Sequence, residues 1–278
     1  MANYQIVASD LDGTLLNSRG EVSEENWKAI AEMTARGVQF VPCTGRTLME
    51  MNAEIRDNPS IRYIIHSDGA VVYDKQTDQR ITACMKGERL RWLMSLFFQY
   101  DVQLCVRTNK RSYMDSKKLC SEWFAYYRQG EYDVKELCNR AIGVENFEAF
   151  CQSIEEAEMV SAVFREPKEY EEFKRRIKAD GGYLFAPWDA ESAIEVFDAT
   201  AGKGSALLRL AQHLGLDPSQ TIGVGDSCND LTLIGAAGLG LCMENGYEEP
   251  KRIADAIICN NDEHPMQYIY KRFICAEV

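Results

Sequence analysis

The sequence predicts an α/β protein: a Rossmann-like parallel sheet core with an inserted α+β cap domain. Three observations predict it. Short apolar runs alternate with single helical patterns at both ends of the chain, the rhythm of right-handed crossovers in a sheet covered on both faces. From about Cys84 to Glu191 the helices are longer and the strands more scattered. The length, 278 residues, exceeds what one core usually covers, so two domains are expected. The core is placed at 1–83 and 191–278, and the insertion at 84–190.

YQIVAS is the first strand. SEENWKAIAEMTARG follows as a helix, capped by Ser23 with Asn26 three residues on, and ended by Gly37. Trp27, Ile30, Ala31 and Thr34 keep helical spacing and mark its inner face. VQFVPCTG is the second strand, RTLMEMNAEIRD a helix and RYIIHSDGA the third strand. In the insertion, GERLRWLMSLFFQYD is a helix, VQLCVRTN and RSYMD pair as strands, and SEWFAYYRQGEY and VENFEAFCQSIEEA are helical. Strand MVSAVF, helix PKEYEEFKRRIKAD and strand YLFAPW complete it. The core rhythm then resumes with strand SAIEVFDA and the amphipathic helix KGSALLRLAQHLGL, which ends at Gly215. TIGVGD, NDLTLIGAAG, LGLCM, PKRIA, AIIC and HPMQYIYKRFIC continue it, strand and helix in turn.

A net charge of −12, from 31 basic and 43 acidic residues, argues against nucleic acid and against an anionic membrane surface as partners. None of the 10 cysteines forms a C-x-x-C pair or a zinc-spaced Cys/His cluster. Most lie in apolar runs, as buried thiols of a reducing compartment do. No leader opens the chain and no apolar run has the length of a membrane span, so the expectation is a cytoplasmic monomer or weak homodimer. His66, His213 and His264 show no spacing for a metal or a triad.

Ligands of an open parallel sheet bind beyond the carboxyl ends of its strands. There the sequence places Asp10 and Asp12, then Thr44, Gly45 and Arg46, then Asp68, and finally Asp226, Asn229 and Asp230. If these strands are neighbours, at least three carboxylates converge. Such a cluster is unstable alone, and a divalent cation with oxygen ligands resolves it. Taken singly, each piece has a plainer reading. D-x-D is often a turn, Thr44 a helix cap, Lys203 a solvated charge, and Asp226 to Asp230 a capping cluster. Four such pieces, each at a strand-to-helix junction, are poorly explained as unrelated caps.

Together the four pieces resemble the motif set of the haloacid dehalogenase (HAD) superfamily, specifically its Cof-type phosphatases. D-x-D-G-T-L is Asp10 to Leu15, CTGR supplies Thr44, KGSAL supplies Lys203, and G-D-x-x-N-D is Gly225 to Asp230. The resemblance implies a hydrolase that forms an aspartyl phosphate on Asp10, with Asp12 as general acid and then base. It implies Mg²⁺ held by a carboxylate oxygen of Asp10, the main-chain carbonyl of Asp12, and Asp226, with Asp230 behind them. Leu11, Thr44, Gly45, Lys203 and Asn229 would bind phosphate. The substrate would be a small phosphorylated metabolite, by preference a sugar phosphate.

Two stretches depart from the family pattern. SDGA replaces the usual Asn-Gly-Ala and puts Asp68 where the Asn can contact substrate, which disfavours an extra anionic group nearby. NNDEHPMQ replaces acid-Gly-Val and sets aside a substrate contact from Asn261. In the cap, Trp123, Phe124, Tyr126 and Tyr127 are read as packing in preference to a stacking wall. Arg107, Lys110, Arg111 and Lys117 are read as a solvated face. Two alternatives stand beside hydrolysis. One is a phosphomutase or phosphotransferase acting on sugar phosphates. The other is a receiver-like phospho-signalling module, which the inserted domain and the second Asp of D-x-D disfavour. A binding protein with a silent site is a further reading, disfavoured by the full motif set.

Overall fold

The computed structural model describes residues 4–130, 137–187 and 192–275, the side chains of 184–187 aside. The chain forms two compact units. One comprises the chain up to Arg46, Met51–Thr82 and the chain from Gly202 onward; the other comprises Thr47–Glu50 and Ala83–Ala201.

The first unit carries a five-stranded parallel sheet, in the order Ala256–Ile258, Leu239–Met243, Thr221–Gly225, Ile6–Ser9, Gln39–Pro42. The strands are short and almost wholly buried, as a sheet covered on both faces requires. From Ile6–Ser9 the chain winds outward to Gln39–Pro42, and later returns on the other side through Thr221–Gly225. The strand order therefore reverses between Ile6–Ser9 and Thr221–Gly225, which is where open α/β sheets form their crevice.

The expected third strand departs from this plan. Tyr63–His66 meets the parallel sheet through one bridge, Cys43 to Ile65. It pairs antiparallel with Val71–Asp74, which pairs in turn with Gln79–Thr82. The sequence RTLMEMNAEIRD, expected as one helix, is helical only over Ala53–Arg56. The first helix, Glu24–Ala35, is capped by Ser23 as expected, its hydroxyl accepting from the Asn26 amide at 3.3 Å. Its buried face is Asn26, Ala29, Ile30 and Met33, not the run through Trp27 and Thr34. The buried asparagine explains the offset: its Oδ1 accepts from the Met266 amide at 2.9 Å, so a polar residue occupies an inner position.

The second unit is a six-stranded sheet with helices. Its order is Tyr183–Pro187, Ala193–Asp198, Met159–Phe164, Val102–Thr108, Arg111–Asp115, Ile142–Val144, antiparallel except for the last pair. SAIEVFDA, expected in the parallel sheet, lies here. A short apolar run does not encode which sheet it joins. The core is aromatic: Phe97 stacks on Phe173 at 4.3 Å, and Phe164 packs beside both.

The aromatic run of the cap is consumed inside this unit. Phe124 and Tyr127 are buried, and the Lys118 ammonium lies 5.3 Å and 5.0 Å from the Trp123 and Tyr127 ring centres. Tyr126 and Tyr127 donate to the two oxygens of Asp101 at 2.6 Å and 2.7 Å. Arg107 is not solvated: its side chain is 16% exposed and pairs with Glu195 at 3.5 Å.

Burial alone would raise the Asp101 carboxyl, but the two hydroxyls and Lys118 hold it below the usual carboxylate range. The stabilisation is therefore full above the unfolded value and is lost as pH falls through the lower folded one. Asp101→Asn is expected to lower stability by about 2 kcal/mol at neutral pH. In urea melts, the gap from the parent should narrow below about pH 4.

Candidate active site

Asp10 and Asp226 each follow the last residue of adjacent strands, Ile6–Ser9 and Thr221–Gly225, at the point where the strand order reverses. The Asp10 amide donates to the Val224 carbonyl at 3.0 Å, which locks the two strand ends in register. The chain then turns at Gly13, whose φ of +77° is open to glycine at little cost. A Cβ there would stand 2.7 Å from Asp226 Oδ2, so the turn also brings the loop against the second carboxylate. Thr14 donates from Oγ1 to Asp226 Oδ1 at 2.8 Å.

Lys203 opens the helix Lys203–His213 and is 1% exposed. Its ammonium reaches Asp10 Oδ1 and Asp230 Oδ1, both at 2.6 Å. The helix can come this close because Gly204 has no side chain; a Cβ would collide with the Thr232 carbonyl. The other oxygen of Asp230 accepts from the Asp226 and Ser227 amides at 3.0 Å and 3.1 Å, closing the turn Cys228–Asp230. Asp230 is thus fully engaged, whereas Asp10 Oδ2 receives no hydrogen bond from any described residue.

The charges do not balance. Asp10, Asp226 and Asp230 offer carboxylate oxygens within 4.8 Å of one another, and one buried ammonium faces two of them. Burial and the neighbouring Asp230 push the Asp10 carboxyl well up, against the pull of Lys203. Burial likewise lifts Asp226, to about 6. Burial alone would depress the Lys203 ammonium, but its two carboxylate partners raise it, so it stays charged. A hard cation taking oxygen ligands fits this deficit.

The remaining predicted residues surround the same place. Thr44 is buried; its Oγ1 accepts from the Arg46 amide at 3.2 Å, and no described acceptor takes its hydroxyl hydrogen. The Leu11 and Asp12 amides also donate to no described acceptor. Gly45 lies under the Asp68 carboxylate, where a Cβ would stand 2.8 Å from Oδ2. Asn229 is exposed, with its Oδ1 on the Ser227 hydroxyl at 2.6 Å and its Nδ2 on Asp68 Oδ1 at 3.1 Å. The Asp12 side chain is 58% exposed.

A family model described as haloacid dehalogenase-like hydrolase matches residues 7–269. The chain belongs to the haloacid dehalogenase-like hydrolases. It is 30% identical to the phosphatase YwpJ of Bacillus subtilis, over 97% of this chain and 100% of that one. A haloacid dehalogenase-like hydrolase of B. subtilis superposes with a TM-score of 0.77 at 25% identity, covering 97% of this chain and 100% of that one. BT4131, described as a subclass IIB sugar phosphatase, shares the fold with a TM-score of 0.75 at 17% identity, over 97% and 98% of the two chains. This haloacid dehalogenase-like hydrolase is a phosphatase, a phosphoric monoester hydrolase acting on small phosphorylated substrates. The receiver-like reading is set aside. The family generally uses Mg²⁺, and the acidic cluster of this member is of the kind that holds one.

Of three further residues at the site of this HAD-like hydrolase, the sequence placed Arg46 at the strand ends without a role, set aside Asn261 as a substrate contact, and did not single out Asn245. Arg46 grips Asp12 with two nitrogens, Nε to Oδ2 at 2.9 Å and Nη2 to Oδ1 at 2.5 Å. Its place directly after CTG, opposite a D-x-D, was the available signal. Asn245 donates to the Gly13 carbonyl at 2.7 Å, and Asn261 to the Leu16 carbonyl at 2.9 Å. Asn261 therefore braces the Asp10 loop from behind. Single asparagines in late loops carry no pattern from which this could be read. Among the described residues, no helix is long and apolar enough to cross a membrane.

Proposed function

We propose that the chain is a magnesium-dependent phosphatase of sugar phosphates and that Asp10 takes the phosphoryl group. The observation that carries this is the asymmetry of Asp10. Lys203 holds one carboxylate oxygen at 2.6 Å, and the other receives no hydrogen bond from any described residue. An anchored carboxylate with one unengaged oxygen is a positioned nucleophile. The Leu11 and Asp12 amides, the Thr44 hydroxyl and Lys203 would donate to the phosphoryl oxygens. Gly45 would meet the phosphate through its main chain, and Asn229 would add an amide donor. Asp12 would protonate the leaving oxygen and then take a proton from the attacking water, which requires it to leave the fork of Arg46 that occupies both its oxygens here. Asp10, Asp226 and the Asp12 carbonyl would hold Mg²⁺, and Asp230 would fix Lys203 and the Asp226 turn behind them. When bound, Mg²⁺ supplies the positive charge that lets an anionic carboxylate approach an anionic phosphate.

The sugar-phosphate part is supported by the description of BT4131 as a sugar phosphatase. We place the enzyme in the cytoplasm, as a monomer or weak homodimer with no nucleic-acid partner. The ten free thiols and the charge of −12 support that placement.

The test is turnover of p-nitrophenyl phosphate and of a panel of sugar phosphates. Activity should fall to background in EDTA and return with Mg²⁺. Full activity in EDTA would contradict the metal assignment. Recovery of the phosphoryl group on a second sugar, without release of inorganic phosphate, would favour the mutase reading.

A further inference from the structure

Ser67, Asp68 and Gly69 adopt φ values of 51°, 49° and 82°, three left-handed residues in succession. Aspartate tolerates that region and serine does so at a cost, so the surroundings must impose the turn. They do. The Ser67 amide donates to the Arg46 carbonyl at 2.9 Å and the Asp68 amide to the Thr44 carbonyl at 3.1 Å. A Cβ on Gly69 would collide with the Gly202 carbonyl, so the far side is closed too. The strained turn sets the Asp68 carboxylate on the bare backbone of Gly45.

Asp68 is 6% exposed. Its Oδ1 accepts from Asn229 Nδ2, and no described residue donates to its Oδ2. No described lysine, arginine or histidine stands within ion-pair distance of it. A buried carboxylate oxygen without a donor calls for one. Five carboxylates, Asp10, Asp12, Asp68, Asp226 and Asp230, share this region with Lys203 and Arg46.

We infer that Asp68 is a specificity residue, a charge filter whose free oxygen takes a hydrogen bond from a hydroxyl of the leaving group and repels a second anionic group. The enzyme then favours phosphate esters of neutral, hydroxylated alcohols over esters that also bear a carboxylate. This rests on the reading of the Asp10 site as the place of phosphate-ester hydrolysis.

Asp68→Asn tests the charge alone. An amide oxygen still accepts from Asn229, and asparagine tolerates the left-handed backbone. Two matched pairs differ only by a hydroxymethyl or a carboxylate: glycerol 3-phosphate with 3-phosphoglycerate, and glucitol 6-phosphate with 6-phosphogluconate. The ratio of kcat/KM, neutral over carboxylated, is measured in both proteins with Mg²⁺. For an ester that is not turned over, its inhibition constant against p-nitrophenyl phosphate gives the same ratio. The parent should favour the neutral member, and Asp68→Asn should shrink that preference by about 10- to 100-fold, the scale of one unscreened charge a few ångströms away. Equal ratios in the two proteins, or a parent preference for the carboxylated member, would overturn the filter while leaving the phosphatase intact. Failure of the parent to hydrolyse any ester would overturn both.

Discussion

Asp10→Asn should reduce turnover of p-nitrophenyl phosphate by at least about 10⁴-fold, the scale seen when a catalytic nucleophile is removed. The amide is close in shape to the carboxylate but has no charge to attack phosphorus. The fold should survive. Asp10 is a buried carboxylate pushed up by burial and by Asp230, so neutralising it relieves repulsion even as it loses the bond to Lys203. The thermal midpoint without Mg²⁺ should therefore stay within a few degrees of the parent. Full activity in this variant would remove Asp10 from the reaction, and an unfolded variant would mean that the pairing with Lys203 is chiefly structural.

Lys203→Met should have the largest effect on stability. Lys203 is the cation that pairs with both Asp10 and Asp230, each at 2.6 Å and each buried. Methionine fills much of the same volume but leaves two carboxylates in the interior without a counter-charge. Breaking a buried pair from one side costs about 3–5 kcal/mol. For a chain of this size that is a fall in Tm of roughly 10 °C. The loss has a defined pH dependence. Burial already pushes the Asp10 carboxyl above its unfolded value, so with Lys203 gone the penalty grows as pH rises through that interval and fades near pH 4. Lys203→Arg is expected to rescue neither activity nor stability, since the wide guanidinium does not fit an enclosed site built for an ammonium. Adding Asp230→Asn to Lys203→Met should recover part of the stability and none of the activity. Equal melting of Lys203→Met and the parent at neutral pH would contradict the buried pairing.

What was legible in the sequence was chemistry tied to strand ends. Asp10, Thr44 and Asp226 follow short apolar strands, and Lys203 and Asp230 open helices, so their convergence followed from the topology of a parallel sheet. Partnerships were less legible. The local pattern around Thr14 contains no sign of Asp226, 212 residues away, to which it donates. The fork of Arg46 on Asp12 depends on a contact between two loops and leaves no periodic trace. The placement of Ala193–Asp198 failed for a different reason. Six residues of strand carry a preference for β structure but no address for which sheet to join. The first helix shows the same limit on a smaller scale: Asn26 is buried because Met266 supplies a donor, a fact external to the helix.

The central claim is that the phosphoryl group passes through Asp10 before water receives it. Two in-line displacements at phosphorus restore the original configuration, and a single attack by water inverts it. The most direct measurement is hydrolysis of a phosphorothioate monoester, chiral by ¹⁸O, in water enriched in ¹⁷O, with the product's configuration read by phosphorus NMR. Net retention is the predicted result, and net inversion would contradict the account.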